Sequence, residues 1–294
     1  MNDSATRWQQ PTSECRVVKH VMGETCIPKN PKRLVTIYHW TLANALLLGI
    51  KPVGSATSGD VLEKDIPPYL KQRMAGIKQL GLQYQPNLER VLLAKPDLIL
   101  GPETLRGTYS ITSQISPTVV INWQGESSWR EYFHFQAEVL GKEEAEQQAW
   151  NYYYQRISEL KTALNNQYEN KTVSVIYAWR GSPMIGVNTK NSFVGSILED
   201  IGLKRPKAQN IVVPGGGYQV TEENLQDIDG DVIFILSDDK KTIEALREKP
   251  LWKKLKAVQQ GHIYFVGDWT WIASNLIAAD AVIDDLYKYL VNTP

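Results

Sequence analysis

Short apolar runs alternate with amphipathic stretches along most of this chain. "RLVTIYHW" (residues 33–40) starts as a buried-strand pattern, and "TLANALLLGIKPVG" continues as a helix stopped at Gly49 with a strand behind it. "NLERVLLAKPDLILGP" predicts a short helix capped by Asn87 and then a buried strand over Asp97–Leu100, and "TVVIN" predicts another over Thr118–Asn122. The same order returns later. "KTVSVIYAW" reads as a strand, "NSFVGSILEDIGLKRP" as a helix stopped at Gly202, "TEENLQDIDGDVIFILS" as a capped short helix and strand, and "HIYFVG" as a last strand.

Strands that are apolar throughout, alternating with helices, predict an α/β fold with mostly parallel sheets covered on both faces. Two such series predict two Rossmann-like lobes. Between them, no Gly or Pro interrupts Lys142 to Lys171, and Ala145, Ala149, Tyr153, Ile157, Leu160 and Leu164 recur at helical spacing. Glu143, Glu144 and Glu146 crowd its start, where the helix dipole favours acids. The predicted organisation is an N-terminal lobe over 1–141, one long rigid helix over 142–169, and a C-terminal lobe over 170–294.

At 294 residues, 43% hydrophobic and 22% charged, the chain can bury a large core in each lobe. Lys+Arg and Asp+Glu are 32 each, so no global field favours nucleic acid or an anionic membrane. No apolar run nears the roughly 20 residues needed to span a bilayer. The polar opening "MNDSATRWQQPTSE" lacks a signal-peptide pattern and reads as a mature terminus. Cys15 and Cys26 are the only cysteines and bracket a short segment. Two separate buried thiols are one reading. A bridge, which their closeness favours, would add about 2–3 kcal/mol and imply an oxidising compartment.

Enzyme chemistry finds little foothold. There is no "GxGxxG", "GxxxxGK[ST]" or "GxSxG", and "PGGGY" (Pro214–Tyr218) reads as a flexible loop. His20, His39, His134 and His262 have no partner at metal-ligand spacing, so a metal held directly by the protein is not expected. His134 falls on an amphipathic helix with Trp129, Phe133, Gln136 and Leu140, whereas His39 lies near a strand's carboxyl end.

Rings and guanidinium groups are placed differently. Nine Trp and fourteen Tyr stand against five Phe. Many follow predicted strands, where open α/β sheets collect ligands: Tyr38 and Trp40, Arg106, Trp123, Trp179 and Arg180, Tyr218, then Trp269 and Trp271 in "VGDWTWIAS". Trp123 also fits packing against the Trp129 helix. Trp269 and Trp271 would share one face of an extended loop, with one of them in packing. Together these residues outline an interlobe cleft for a bulky anion with apolar flanks, gripped by arginine's planar, permanently charged fork.

"NPKRLVTIYHWTLANALLLGIKPVG", "NLERVLLAKPDLILGPE", "YSITSQISPTVVI" and "NSFVGSILEDIGLKRP" resemble the iron–siderophore binding proteins of bacterial ABC importers, a family that includes ferric-citrate, ferric-hydroxamate and cobalamin binders. The resemblance runs from about Cys15 to the C-terminus. It implies a non-enzymatic, monomeric periplasmic protein without a cofactor, whose Fe(III) arrives already chelated by a siderophore. The few cations of the predicted cleft favour a hydroxamate, citrate or mixed citrate–hydroxamate chelate over a more highly charged catecholate. The resemblance also implies docking on permease subunits through one acid per lobe, here Glu89 in "NLER" and Glu223 in "TEEN", with Glu222 as a neighbouring candidate. Both acids equally fit first-turn stabilisation of a helix dipole. The ligand residues it implies are Arg180 beside Trp179, and Arg106. The alternatives are a haem or corrinoid binder of the same fold, with His39 and Tyr38 as the axial groups a haem would need, and a two-lobe α/β enzyme acting on an anionic substrate.

Overall fold

The computed structural model describes residues 15–57, 67–179, 181–237 and 239–292. They fall into two compact units, one drawn from Met1–Ile66, Arg73–Asn122 and His134–Ala145, the other from Pro67–Gln72, Trp123–Phe133 and Glu146–Pro294.

In the first unit an antiparallel hairpin, β1 (Cys15–His20) and β2 (Gly23–Pro28), is tied by the Cys15–Cys26 disulfide. The hairpin is fastened to the main sheet where Val21 N donates to Val120 O and Val120 N donates to His20 Nδ1. That sheet contains β3 (Leu34–Ile37), β4 (Gly54–Thr57), β5 (Lys78–Leu82), β6 (Gln85–Pro86), β7 (Leu98–Pro102) and β8 (Thr118–Ile121), ordered β6-β5-β4-β3-β7-β8. All neighbours run parallel except β6 against β5. Every residue of "LVTI", "LILGP" and "TVVI" is buried, the first two as strands in the middle of a covered parallel sheet require and the third at the sheet's end, where the hairpin is fastened to it. The helix Leu88–Leu93 starts at Asn87, whose Oδ1 accepts from Arg90 N at 2.9 Å.

The second unit has a sheet ordered β11-β10-β9-β12-β13, from β9 (Val173–Ala178), β10 (Ile185–Asn188), β11 (Gly217–Val220), β12 (Val232–Leu236) and β13 (Ile263–Val266). β9, β12 and β13 are parallel, but β10 and β11 join antiparallel. The twofold repetition in the sequence therefore holds for the parallel strands and breaks at this added pair. Helix Phe193–Ile201 begins at Ser192, whose Oγ accepts from Gly195 N, and ends at left-handed Gly202, the stop expected from sequence.

The long helix covers Glu143–Leu164, and the boundary between the units falls within its first turn. It stops short of the Lys171 limit of the predicted run because Asn165 and Asn166 adopt positive φ of 43° and 60°, a conformation asparagine tolerates and a helix does not continue. Tyr153, Ile157, Leu160 and Leu164 form its buried stripe. Within the second unit, Arg130 lies over the Trp129 and Trp150 rings and pairs with Asp200 at 2.7 Å, while Tyr153 donates to the same carboxylate. This cluster fastens the segment around Trp129 to the helix Phe193–Ile201. No helix among the described residues is long and apolar enough to cross a membrane.

Candidate functional site

β9 leaves the core through Tyr177, Ala178 and Trp179, the end of the sheet at which ligands gather in α/β folds. There a cavity of about 350 Å³ opens, walled by Tyr177, Trp179, Asn188, Tyr218, the Pro214–Gly217 segment and Glu126. The rings are held at their polar tips. Tyr177 donates to Asp268 Oδ2 at 3.0 Å with its ring centroid 4.6 Å from that of Trp179, and Tyr218 donates to Ala208 O at 2.9 Å. Burial, with Asp227 adding to it, pushes the Tyr218 phenol above its usual range, so it stays a neutral donor. Its ring packs against the hydrophobic core of the second unit and also lines the cavity.

The glycines of "PGGGY" form part of this wall, which corrects the sequence reading of a merely flexible loop. Gly215 and Gly216 have φ of 77° and 87°, and Gly125, at 86°, bridges Gly215. A β-carbon on Gly125 would come within 2.7 Å of Gly215 Cα, and one on Gly216 equally close to Ser192 Cα. Only glycine lets these backbones approach. The strand lies at Gly217–Val220 rather than at the apolar "IVV" upstream.

Glu126 is the lining residue that sequence reading missed. One carboxyl oxygen, Oε2, accepts from Phe193 N at 3.1 Å at the start of the helix Phe193–Ile201. Burial pushes its carboxyl up to about 7 despite that hydrogen bond, which acts the other way. The expectation was of fixed positive charge, and among the described lining residues the charged side chain is instead an acid. Nothing in "GESSW" marks Glu126 as enclosed.

The remaining predicted residues separate into groups. Arg180, next to Trp179, lies outside the described residues. Trp269 and Trp271 occupy a short helix, Asp268–Trp271, not an extended loop, and so point to opposite sides, about 200° apart. Trp269 is exposed. Trp271 is fully buried, donates to Asp285 Oδ2 at 2.8 Å and packs on Phe234, which corrects its assignment to the ligand wall: it is a core residue.

In the first unit, Tyr38 and Trp40 meet at 3.7 Å between ring centroids, and the Tyr38 hydroxyl contacts that of Tyr84 at 2.5 Å. Tyr38 holds φ 87°, a conformation that is rare outside glycine, at the turn from β3 into the helix His39–Leu47. His39 is buried, with Nδ1 on Gln83 Oε1 at 3.1 Å, so that nitrogen is engaged rather than offered as an axial ligand. Arg106 stands exposed after β7, paired with Glu103 at 3.1 Å. In the second unit, Trp123 stacks edge-on against Tyr132, the packing role foreseen for it. Among the described residues no group of three His, Cys, Asp or Glu side chains is placed to hold a metal.

Glu89 and Glu223 are both exposed in the first turns of short helices and take no partner among the described residues. Glu222 is different: it pairs with Lys249 at 3.2 Å and accepts from Leu251 N.

Comparison with known proteins agrees with this architecture. The chain is 33% identical to the Bacillus subtilis protein named "Probable siderophore-binding lipoprotein YfiY" over 99% of its length and 93% of the relative's. It is 30% identical to the Fe(3+)-citrate-binding protein YfmC of the same organism, over 94% and 88%. Among solved structures, Staphylococcus aureus SirA complexed with staphyloferrin B superposes with a TM-score of 0.78 at 27% identity, covering 94% of this chain and 98% of that one. Residues 46–269 match the family described as "Periplasmic binding protein", and the chain belongs to that family.

Proposed function

We propose that this protein is an extracytoplasmic substrate-binding protein, not an enzyme, which captures a ferric siderophore and delivers it to the permease of an ABC importer. The observation that carries this reading is the ring-walled cavity at the end of β9, in a chain whose relatives include proteins named for siderophore and Fe(3+)-citrate binding. Trp179 and Tyr218 supply flat apolar contact at low entropic cost. Arg180 and Arg106 meet the chelate's negative oxygens. Trp269, which is exposed, adds ring surface, and iron enters only inside its chelator.

A hydroxamate or citrate chelate is the favoured cargo, and the protein works as a monomer. The disulfide supports an oxidising location. Glu89 and Glu223 dock on arginines of the permease subunits, a role supported by their exposure and lack of partners, while Glu222 is committed to Lys249.

Isothermal titration with ferric citrate, ferric schizokinen, the iron-free chelators and haem tests the reading. Micromolar or tighter binding of a ferric chelate, about 8 kcal/mol or more, is expected. Binding of haem alone would overturn it.

A further inference from the structure

A cavity meant for an anion contains an acid, and its position gives that acid a use. Glu126 sits in the turn Glu126–Ser128, where Ser128 Oγ donates to Gly125 O and accepts from Gln124 N. Trp129, next along, donates to Ser196 Oγ at 3.1 Å and packs on Phe193. The carboxyl is thereby held against the helix Phe193–Ile201. Because Phe193 N donates to Oε2, a proton on this carboxyl resides on Oε1, which takes no hydrogen bond from any described residue.

Among the described residues, the groups packed around it do not neutralise it. The helix Phe193–Ile201 presents Phe193 N–H beside Ser192, and β10 presents Val187 and Asn188. The glycine segment brings backbone and the Tyr218 phenol, and β9 brings Tyr177, whose hydroxyl is held by Asp268. Arg130 is committed to Asp200, and Arg205 to the carbonyls of Asn188 and Thr189.

Resting on the capture of an anionic chelate proposed above, we propose that Glu126 is a specificity-determining residue of this cavity, which in its neutral form donates its Oε1 hydrogen to an oxygen of the bound chelate. In its ionised form the same oxygen repels that chelate. The carboxyl's upward displacement to about 7 puts the exchange between the two forms near neutrality. Glutamine keeps a donor and loses the charge, so it imitates the neutral acid at every pH.

The test is the affinity of wild type and Glu126→Gln for ferric citrate and ferric schizokinen from pH 6.5 to 8.5. Taking the ratio of the two proteins' Kd values cancels the chelates' own ionisation. The ratio of wild-type to variant Kd is expected to rise by at least about tenfold across this range. A flat ratio, with both proteins binding, overturns the role of Glu126 and leaves siderophore capture standing. Failure of both proteins to bind either chelate overturns both. A second measurement needs no variant: calorimetry of wild type at pH 8 in buffers of different ionisation enthalpy. Uptake of about one proton on binding, beyond that of the free chelate, is expected. No uptake overturns the proposal.

Discussion

The Trp179 indole occupies the space that a β-carbon on Gly186 would need. Gly186 lies on β10 and Trp179 directly follows β9, its antiparallel neighbour, where Ile185 faces Ala178 and Gly186 faces Tyr177. The ring is therefore seated against bare backbone, and both residues line the cavity. In Gly186→Ala the indole must leave its seat. Chelate affinity is expected to fall about tenfold, roughly 1.4 kcal/mol, with a stability loss of about 1–3 kcal/mol from overpacking. Titration calorimetry and urea unfolding measure the two effects separately.

Arg180→Ala should weaken ferric-chelate binding by at least about tenfold and leave unfolding unchanged, since a guanidinium on an anion contributes affinity rather than core packing. Equal affinity in wild type and variant would leave the Trp179–Arg180 pair as a local stack. Arg106→Ala is a companion experiment, because Arg106 already has Glu103 as a partner.

Glu89→Ala combined with Glu223→Ala should leave chelate affinity untouched and abolish uptake through the importer in cells or proteoliposomes. Each acid also lies in a helix first turn, where its loss costs about 0.3–1 kcal/mol of stability. Normal transport by the double variant would reduce both residues to that helical role. Glu222→Ala should instead lose its Lys249 pair and the Leu251 N–H contact, with transport intact.

His39 predicts an acid-labile fold. Burial brings its imidazole down to about 4, the Gln83 hydrogen bond opposing this only in part. The unfolded chain takes up its proton near 6.5 and the folded one does not until about 4. Stability contributed by the neutral ring is thus complete above pH 6.5 and lost as pH falls toward 4, at about 1.4 kcal/mol per pH unit. Urea midpoints at pH 7, 5.5 and 4.5 should decline more steeply for wild type than for His39→Gln.

Strong apolar runs were legible in the sequence. β3, β7, β8, β9 and β12 are where continuous apolar residues predict them, and Asn87 and Gly202 punctuate helices through capping chemistry that is local to the chain. The β10–β11 pair was not legible, since "IGVN" and "GYQV" are four-residue segments with glycine and polar positions, held by pairing, β10 to β9 and β11 to β10, rather than by their own propensity. Trp271 reads like Trp269 until the turn after β13 closes into a helix and sends one ring inward. Glu126 is enclosed by segments far away in sequence, around Phe193 and Gly215, and no neighbouring residue foretells this.

The opposite fates of Trp269 and Trp271 also decide what light emission from this protein can report. Iodide in solution can strike the outward indole of Trp269 but not the one sealed against Phe234, and Trp129 and Trp252 are equally shielded. Trp179 stands between these classes, half-buried where it lines the cavity. Cargo occupying that space would therefore shrink the collisionally quenchable share of the emission while the interior tryptophans continue to emit as a built-in constant background.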